Sequence, residues 1–154
     1  MPHSHTWLSE NQVVYVVFSG IMSSDDIGEA FHESARYVIE SSEAPVHFLH
    51  NWQSLESFPT SLSQVVKVSQ NTKAPLKKVG WIVAYGKHSR SFEFMGNIFF
   101  QLFNVRFKLV KTLDDALTFL CLHDQRLDKD VLASTYENVI AQHQNTLDTV
   151  QTSD

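Results

Sequence analysis

The stretch from Lys78 to Val110 constrains the fold more than any other part of the chain. It opens with an apolar run, Val79 to Tyr85, closed by Gly86, and ends with a second short run, Val105 to Val110. Apolar residues without polar alternation suit a strand covered on both faces, as in a parallel sheet. Between the runs lies a Phe-crowded segment, Ser89 to Phe103, long enough for a helical crossover between parallel neighbours. The pattern predicts a β-α-β unit and, with it, an α/β fold.

The elements upstream fit such a sheet. Thr6–Ser9 and Gln12–Ser19 read as a hairpin, the second arm rich in β-branched and aromatic residues and central, the first at an edge. Residues 1–5 are expected to fray; Pro2 lacks the amide that a terminal copper or nickel site would need. Ser23-Ser24-Asp25-Asp26 is a helix start, followed by Ile27, Ala30, Phe31, Ala35 and Val38 at helical spacing. Glu29 and Glu33 belong to the solvated face of that helix. Val46 to Trp52 is a third strand, Gln53 to Ser61 a loop, and a helix begins near Ser61.

Downstream, Phe92, Met95, Ile98, Phe99, Leu102 and Phe103 form one apolar helical stripe, with Phe100 off it and Phe94 near its edge. Such a surplus calls for extra burial, in a ligand pocket, against a partner, or under the chain's own C-terminus. Val105, Phe107 and Leu109 alternate with Arg106 and Lys108, as at a sheet edge. Thr112-Leu113-Asp114-Asp115 starts a helix lined by Ala116, Leu117, Leu120 and Cys121. The last 30 residues, 125–154, predict an amphipathic helix that needs a surface to lie on, across a dimer or back on the domain.

Length, charge and motifs narrow the function by exclusion. At 154 residues the chain is one domain, and its net charge of −5 argues against a broad grip on nucleic acid or an anionic membrane. No secretion signal is visible and no apolar stretch approaches the ~18 residues of a membrane span, so a cytoplasmic location is expected. The single cysteine, Cys121, reads as a small buried hydrophobe. No phosphate-loop, dinucleotide, nucleophile-elbow or zinc-protease motif is present, and neither a cofactor nor a metal is expected. His47 and His50 are three apart, hence on opposite faces of a strand, and cannot share a metal. His50 shares a face with Val46 and Phe48 and is placed at the carboxyl end of its strand, where ligands lie in open α/β sheets. It is the one polar site candidate, beside its plainer reading as a hydrogen-bonded core histidine.

The order strand, strand, helix, strand, helix, strand, helix, strand, helix, with Ser19-Gly20-Ile21-Met22-Ser23 leading into the first helix, resembles the SpoIIAA-like group of the STAS superfamily. These are bacterial domains of the anti-sigma-factor-antagonist type, with relatives described as STAS/SEC14-like. The likeness covers residues 6–124 and includes Pro45 to Leu49, the Val79–Gly86 strand, and Val105-Arg106-Phe107 before Leu113-Asp114-Asp115-Ala116. It implies a mixed, mostly parallel five-stranded sheet with β-α crossover helices, to which this chain adds a C-terminal helix. It also implies a regulatory binding role without catalysis. In the phosphoswitch branch a Ser or Thr starts the second core helix; here Thr60 or Ser61 holds that place, without the Asp before it and the Gly after it. As read from the residues, a hydroxyl there is first a helix cap.

Three functional expectations follow. The first is a non-catalytic regulatory or protein-interaction domain acting as a homodimer, or with another regulatory protein, through Phe94, Phe100 and the C-terminal helix. The second is a carrier or sensor of a small apolar ligand, as the SEC14-like comparison implies, with Trp81, Phe92, Phe99 and Phe103 lining the cavity. The third is an enzyme using His50 with Asn51 or Glu56 nearby.

Overall fold

The computed structural model describes residues 2–59, 61–70, 75–86 and 89–151. Five strands form one sheet in the order β1-β2-β3-β4-β5, so every strand lies beside its sequence neighbours. They are β1 (His3–Ser9), β2 (Val13–Ile21), β3 (Val46–Ser57), β4 (Val79–Tyr85) and β5 (Arg106–Leu109). The β1-β2 hairpin is antiparallel and the other three pairings are parallel, which is the mixed, mostly parallel sheet expected. The helices are α1 (Ser24–Glu40), α2 (Leu62–Ser69), α3 (Arg90–Leu102), α4 (Leu113–His123) and α5 (Lys129–Gln151).

Helix starts follow the cap chemistry of the sequence. Ser23 Oγ accepts from Asp26 N–H at 3.1 Å while Asp26 accepts from Ser23 N–H at 2.8 Å, a capping box that satisfies two otherwise free donors. Thr112 caps α4 with a single bond, its Oγ1 accepting from Asp115 N–H at 3.1 Å. Ser61 caps α2 through Gln64 N–H.

Residue parity on the strands sorts the core into two layers. Val14, Val16, Phe18, Phe48, Trp52, Ile82 and Ala84 face α1 and α3, and Val13, Tyr15, Leu49, Val83 and Tyr85 face α4 and α5. With both faces covered, β2 and β4 carry the apolar runs that parallel strands show, and β3 is buried from Val46 to Trp52 although it holds His47, His50 and Asn51.

The structure corrects several expectations. Residues 3–5 do not fray: β1 begins at His3, and Ser19 N–H donates to Pro2 O at 2.8 Å. The segment from Gln53 to Ser57 is strand, not loop, because the end of β2 continues alongside it, pairing Ser19 with Ser54 and Gly20 with Leu55. His50 therefore lies mid-strand. On α3 the buried residues are Gly96 and Phe100, whereas Leu102 is 57% exposed. Glycine adds nothing to an apolar stripe, yet here it turns the inward face toward itself. A Cβ on Gly96 would come within 2.8 Å of the Phe107 ring and 3.4 Å of Trp52, so its absence lets α3 settle on the sheet.

Candidate ligand cavity

A partly open cavity of about 100 Å³ lies between the sheet and helices α1 and α3. Its floor is Phe18 on β2, Phe48, His50 and Trp52 on β3, and Ile82 on β4. Its roof is Ile27, Ala30 and Ala35 from α1 and Gly96, Phe99 and Phe100 from α3. The space follows from composition: Ala30, Ala35 and Gly96 are small where two helices cross an aromatic floor. The lining grades from Trp52 and His50, 1% and 6% exposed, to Leu76, 37% exposed.

His50 is the polar feature of the floor. Its ring packs edge-on against Phe18 at 4.9 Å and lies 6.2–6.4 Å from Phe48, Trp52 and Phe100. Both His50 Nδ1 and Trp52 Nε1 are buried without a hydrogen-bond partner. Burial pushes the imidazole pKa down to about 3, with a small further push from His5. His50 is thus neutral at ordinary pH. Asn51 faces the opposite side of the sheet, donating to Tyr15 Oη at 2.9 Å, and Glu56 is exposed. They do not join His50 in a catalytic group.

One other polar pair reaches this layer. Ser34 lines the cavity, and its Oγ lies 2.9 Å from His5 Nε2. Burial first, then His3, lowers the His5 pKa to about 4, and its Nδ1 has no partner to orient it. A serine is activated by a base poised near working pH and held by a third group. His5 meets neither condition. Sequence reading missed this pair because His5 was assigned to a frayed end.

The predicted site residues divide. Phe99 lines the cavity. Phe92 packs on Trp52 and Phe58 beside it, and Phe103 packs on Phe31 and Phe99. Trp81 does not join them: one residue out of phase with Ile82, it faces α4 and meets Phe119 and His123 at 4.8 and 5.0 Å. Phe100, expected at an interface, is buried in the core and stacks on Phe107 at 4.8 Å. Phe94 is 63% exposed. Ser61 holds the α2 cap, and Thr60 lies outside the described residues. Cys121 is half-buried, and burial raises its thiol pKa.

The C-terminal helix docks on the chain's own sheet. Leu132, on the inner face of α5, is 2% exposed, and Tyr136 Oη lies 3.0 Å from Tyr85 Oη, which in turn lies 3.4 Å from Tyr15 Oη. The same layer holds a polar cluster that sequence reading passed over. His47 Nε2 meets Asp124 Oδ2 at 2.9 Å, and Arg126 binds both Asp124 oxygens, Pro45 O and Glu43. Separated by 77 residues, His47 and Asp124 leave no local pattern to read.

Among the described residues no three His, Cys, Asp or Glu side chains form a group that could hold a metal ion, and no helix is long and apolar enough to cross a membrane. No protein-family model matches the sequence, and neither does any curated protein. A solved structure does match in three dimensions. It is an uncharacterised protein of the DUF3478 family with a SpoIIAA-like fold, from Shewanella loihica PV-4. The two chains are 15% identical and superpose with a TM-score of 0.55, over 77% of this chain and 94% of the other.

This chain has a SpoIIAA-like fold. In SpoIIAA-like terms, the cavity lies on the face of the mixed sheet that α1 and α3 cover, and α4 and α5 close the other face.

Proposed function

We propose that this SpoIIAA-like domain is a non-catalytic binding module that carries or senses a small apolar molecule in the cavity under α1 and α3. The observation that supports the reading is the cavity itself. Close-packed interiors leave few voids larger than a water molecule, and dry apolar cavities bind apolar guests of matching size. Here about 100 Å³ is walled almost wholly by hydrocarbon and is partly open. The polar groups at its edge are poor catalysts: His50 is neutral and weakly basic, and His5 is bonded to Ser34 without an orienting partner.

Toluene, a guest of about the right size, is expected to raise the melting temperature of the protein and to shift amide resonances of α1, α3 and β3. Ala30→Leu places a larger side chain in the roof and is expected to abolish both effects while keeping the fold. Native mass spectrometry of the freshly purified protein would then report any co-purified cargo as mass lost on denaturation. A protein whose melting temperature and spectra ignore both toluene and phenol, its hydroxyl counterpart, would overturn the reading.

A second reading, self-association or capture of a regulatory protein, rests on α3. Phe94 and Leu102, 63% and 57% exposed, leave apolar surface on the helix that roofs the cavity. If α3 is a dimer contact, Phe94→Ser converts a dimer to a monomer in light scattering with stability unchanged. A wild-type monomer at high concentration would exclude the homodimer.

A further inference from the structure

We infer that the cavity selects a neutral ligand with an apolar body and one hydroxyl or carbonyl oxygen, which the buried edge formed by His50 and Trp52 receives. The inference rests on the carrier reading above and deepens it. Two nitrogens within the apolar floor, His50 Nδ1 and Trp52 Nε1, are buried and unpartnered. Buried polar atoms are nearly always paired, since an unmade hydrogen bond there carries the full desolvation cost of the group. Both residues line the same cavity, and both belong to its most buried part. A purely hydrocarbon guest would leave both nitrogens unsatisfied. A guest with an oxygen at that end brings a hydrogen-bonding partner to this edge.

The chemistry of the two nitrogens defines that oxygen. The indole N–H is a donor only, so the ligand must present an acceptor. The imidazole Nδ1 accepts or donates according to its tautomer, so a hydroxyl suits either nitrogen, accepting from Trp52 or donating to His50. The ligand is uncharged because nothing at this end balances a charge: the imidazole is neutral, and its ring neighbours are Phe18, Phe48, Trp52 and Phe100. The other polar group in the wall, the Ser34 hydroxyl, is already engaged with His5. Size follows from volume. A cavity of about 150 Å³ takes benzene, so about 100 Å³ that is partly open takes a single ring or a short branched chain.

Toluene and phenol make the test, because they match in shape and differ by a methyl against a hydroxyl. Phenol is much the better hydrated, so a cavity without polar partners prefers toluene by about tenfold or more. The full-length protein is expected instead to bind phenol about fivefold or more tightly than toluene at neutral pH, measured by chemical-shift titration. The Trp52 indole N–H resonance, one of three from Trp7, Trp52 and Trp81, is expected to move downfield with phenol and much less with toluene. Trp52→Phe and His50→Phe are each expected to reverse the preference toward toluene, and benzoate is expected to compete with neither guest.

Toluene binding that exceeds phenol binding in the wild type would overturn the polar selection while leaving the carrier reading intact. Failure of both guests to bind would overturn the two together. Phenol preferred without movement of the Trp52 indole resonance, or with the preference kept in both variants, would remove the oxygen from this pair. Benzoate binding more tightly than phenol would refute the neutral ligand. The wild-type resonance reports on the site even if one variant folds poorly.

Discussion

Lowering the pH from 7.5 to 5 is expected to destabilise the folded protein by about 4 kcal/mol through His5 and His50 alone. Both imidazoles titrate near 6.5 when exposed, whereas burial lowers them to about 4 and about 3 in the fold. Folded-state pKa values below the unfolded ones mean that the unfolded chain binds more protons between them. Stability is therefore complete above about pH 6.5 and declines as pH falls through the window, at roughly 1.4 kcal/mol per pH unit for each histidine. His47, also lowered by burial, contributes in the same direction. Urea melts at pH 7.5 and 5 measure the effect. His50→Phe, which removes one titrating group, is expected to recover about half of the acid loss, or about 2 kcal/mol. Equal midpoints at the two pH values would show that these histidines are not held neutral by burial.

Replacing Asp124 with alanine is expected to cost about 3 kcal/mol, a fall in melting temperature of roughly 6–12 °C. The reason lies in the tautomer of His47. Trp81 N–H donates to His47 Nδ1 at 2.9 Å, so the ring proton sits on Nε2 and is donated to the Asp124 carboxylate. Hydrogen bonds from Arg126 come first, with that from His47 also contributing, in holding the Asp124 carboxyl well below the usual range, so it stays ionised. Removing the carboxylate strands a donor on a side chain only 2% exposed and frees Arg126 from the loop it ties to Pro45. The ring cannot turn to find another partner, since it lies over Gly80 so closely that a Cβ there would sit 2.4 Å from Nδ1. Asp124→Asn keeps an acceptor and is expected to cost less than half as much. Equal losses in the two variants would show that charge, rather than the His47 hydrogen bond, is what matters.

Local signals carried most of the architecture. The apolar runs of β2, β3 and β4 and the caps at Ser23 and Thr112 were readable because each depends on residues close in sequence. The separation of His47 from His50 was equally legible, since strand parity alone sends them to opposite layers. Parity also placed Trp81 away from Ile82, although the aromatic grouping expected for the cavity ignored it. The reach of β3 through Ser57 was not legible: its polar end, Gln53-Ser54, looks like loop and is strand because the end of β2 lies beside it.

Amino-acid order by itself determined the element sequence, the α/β class and the presence of an aromatic surplus on α3, because hydrophobic period and capping are short-range. Only the tertiary structure decided where that surplus goes. Gly96 on α3 and the alanines of α1 meet above the sheet and leave a cavity, while Phe100 sinks into the core and Phe94 stays outside. It likewise decided that His50 and Trp52 end there with unmet hydrogen bonds, and that His47 finds Asp124. Void space and unpaired polar atoms arise where distant elements pack, and no local pattern in a chain encodes what is missing between them.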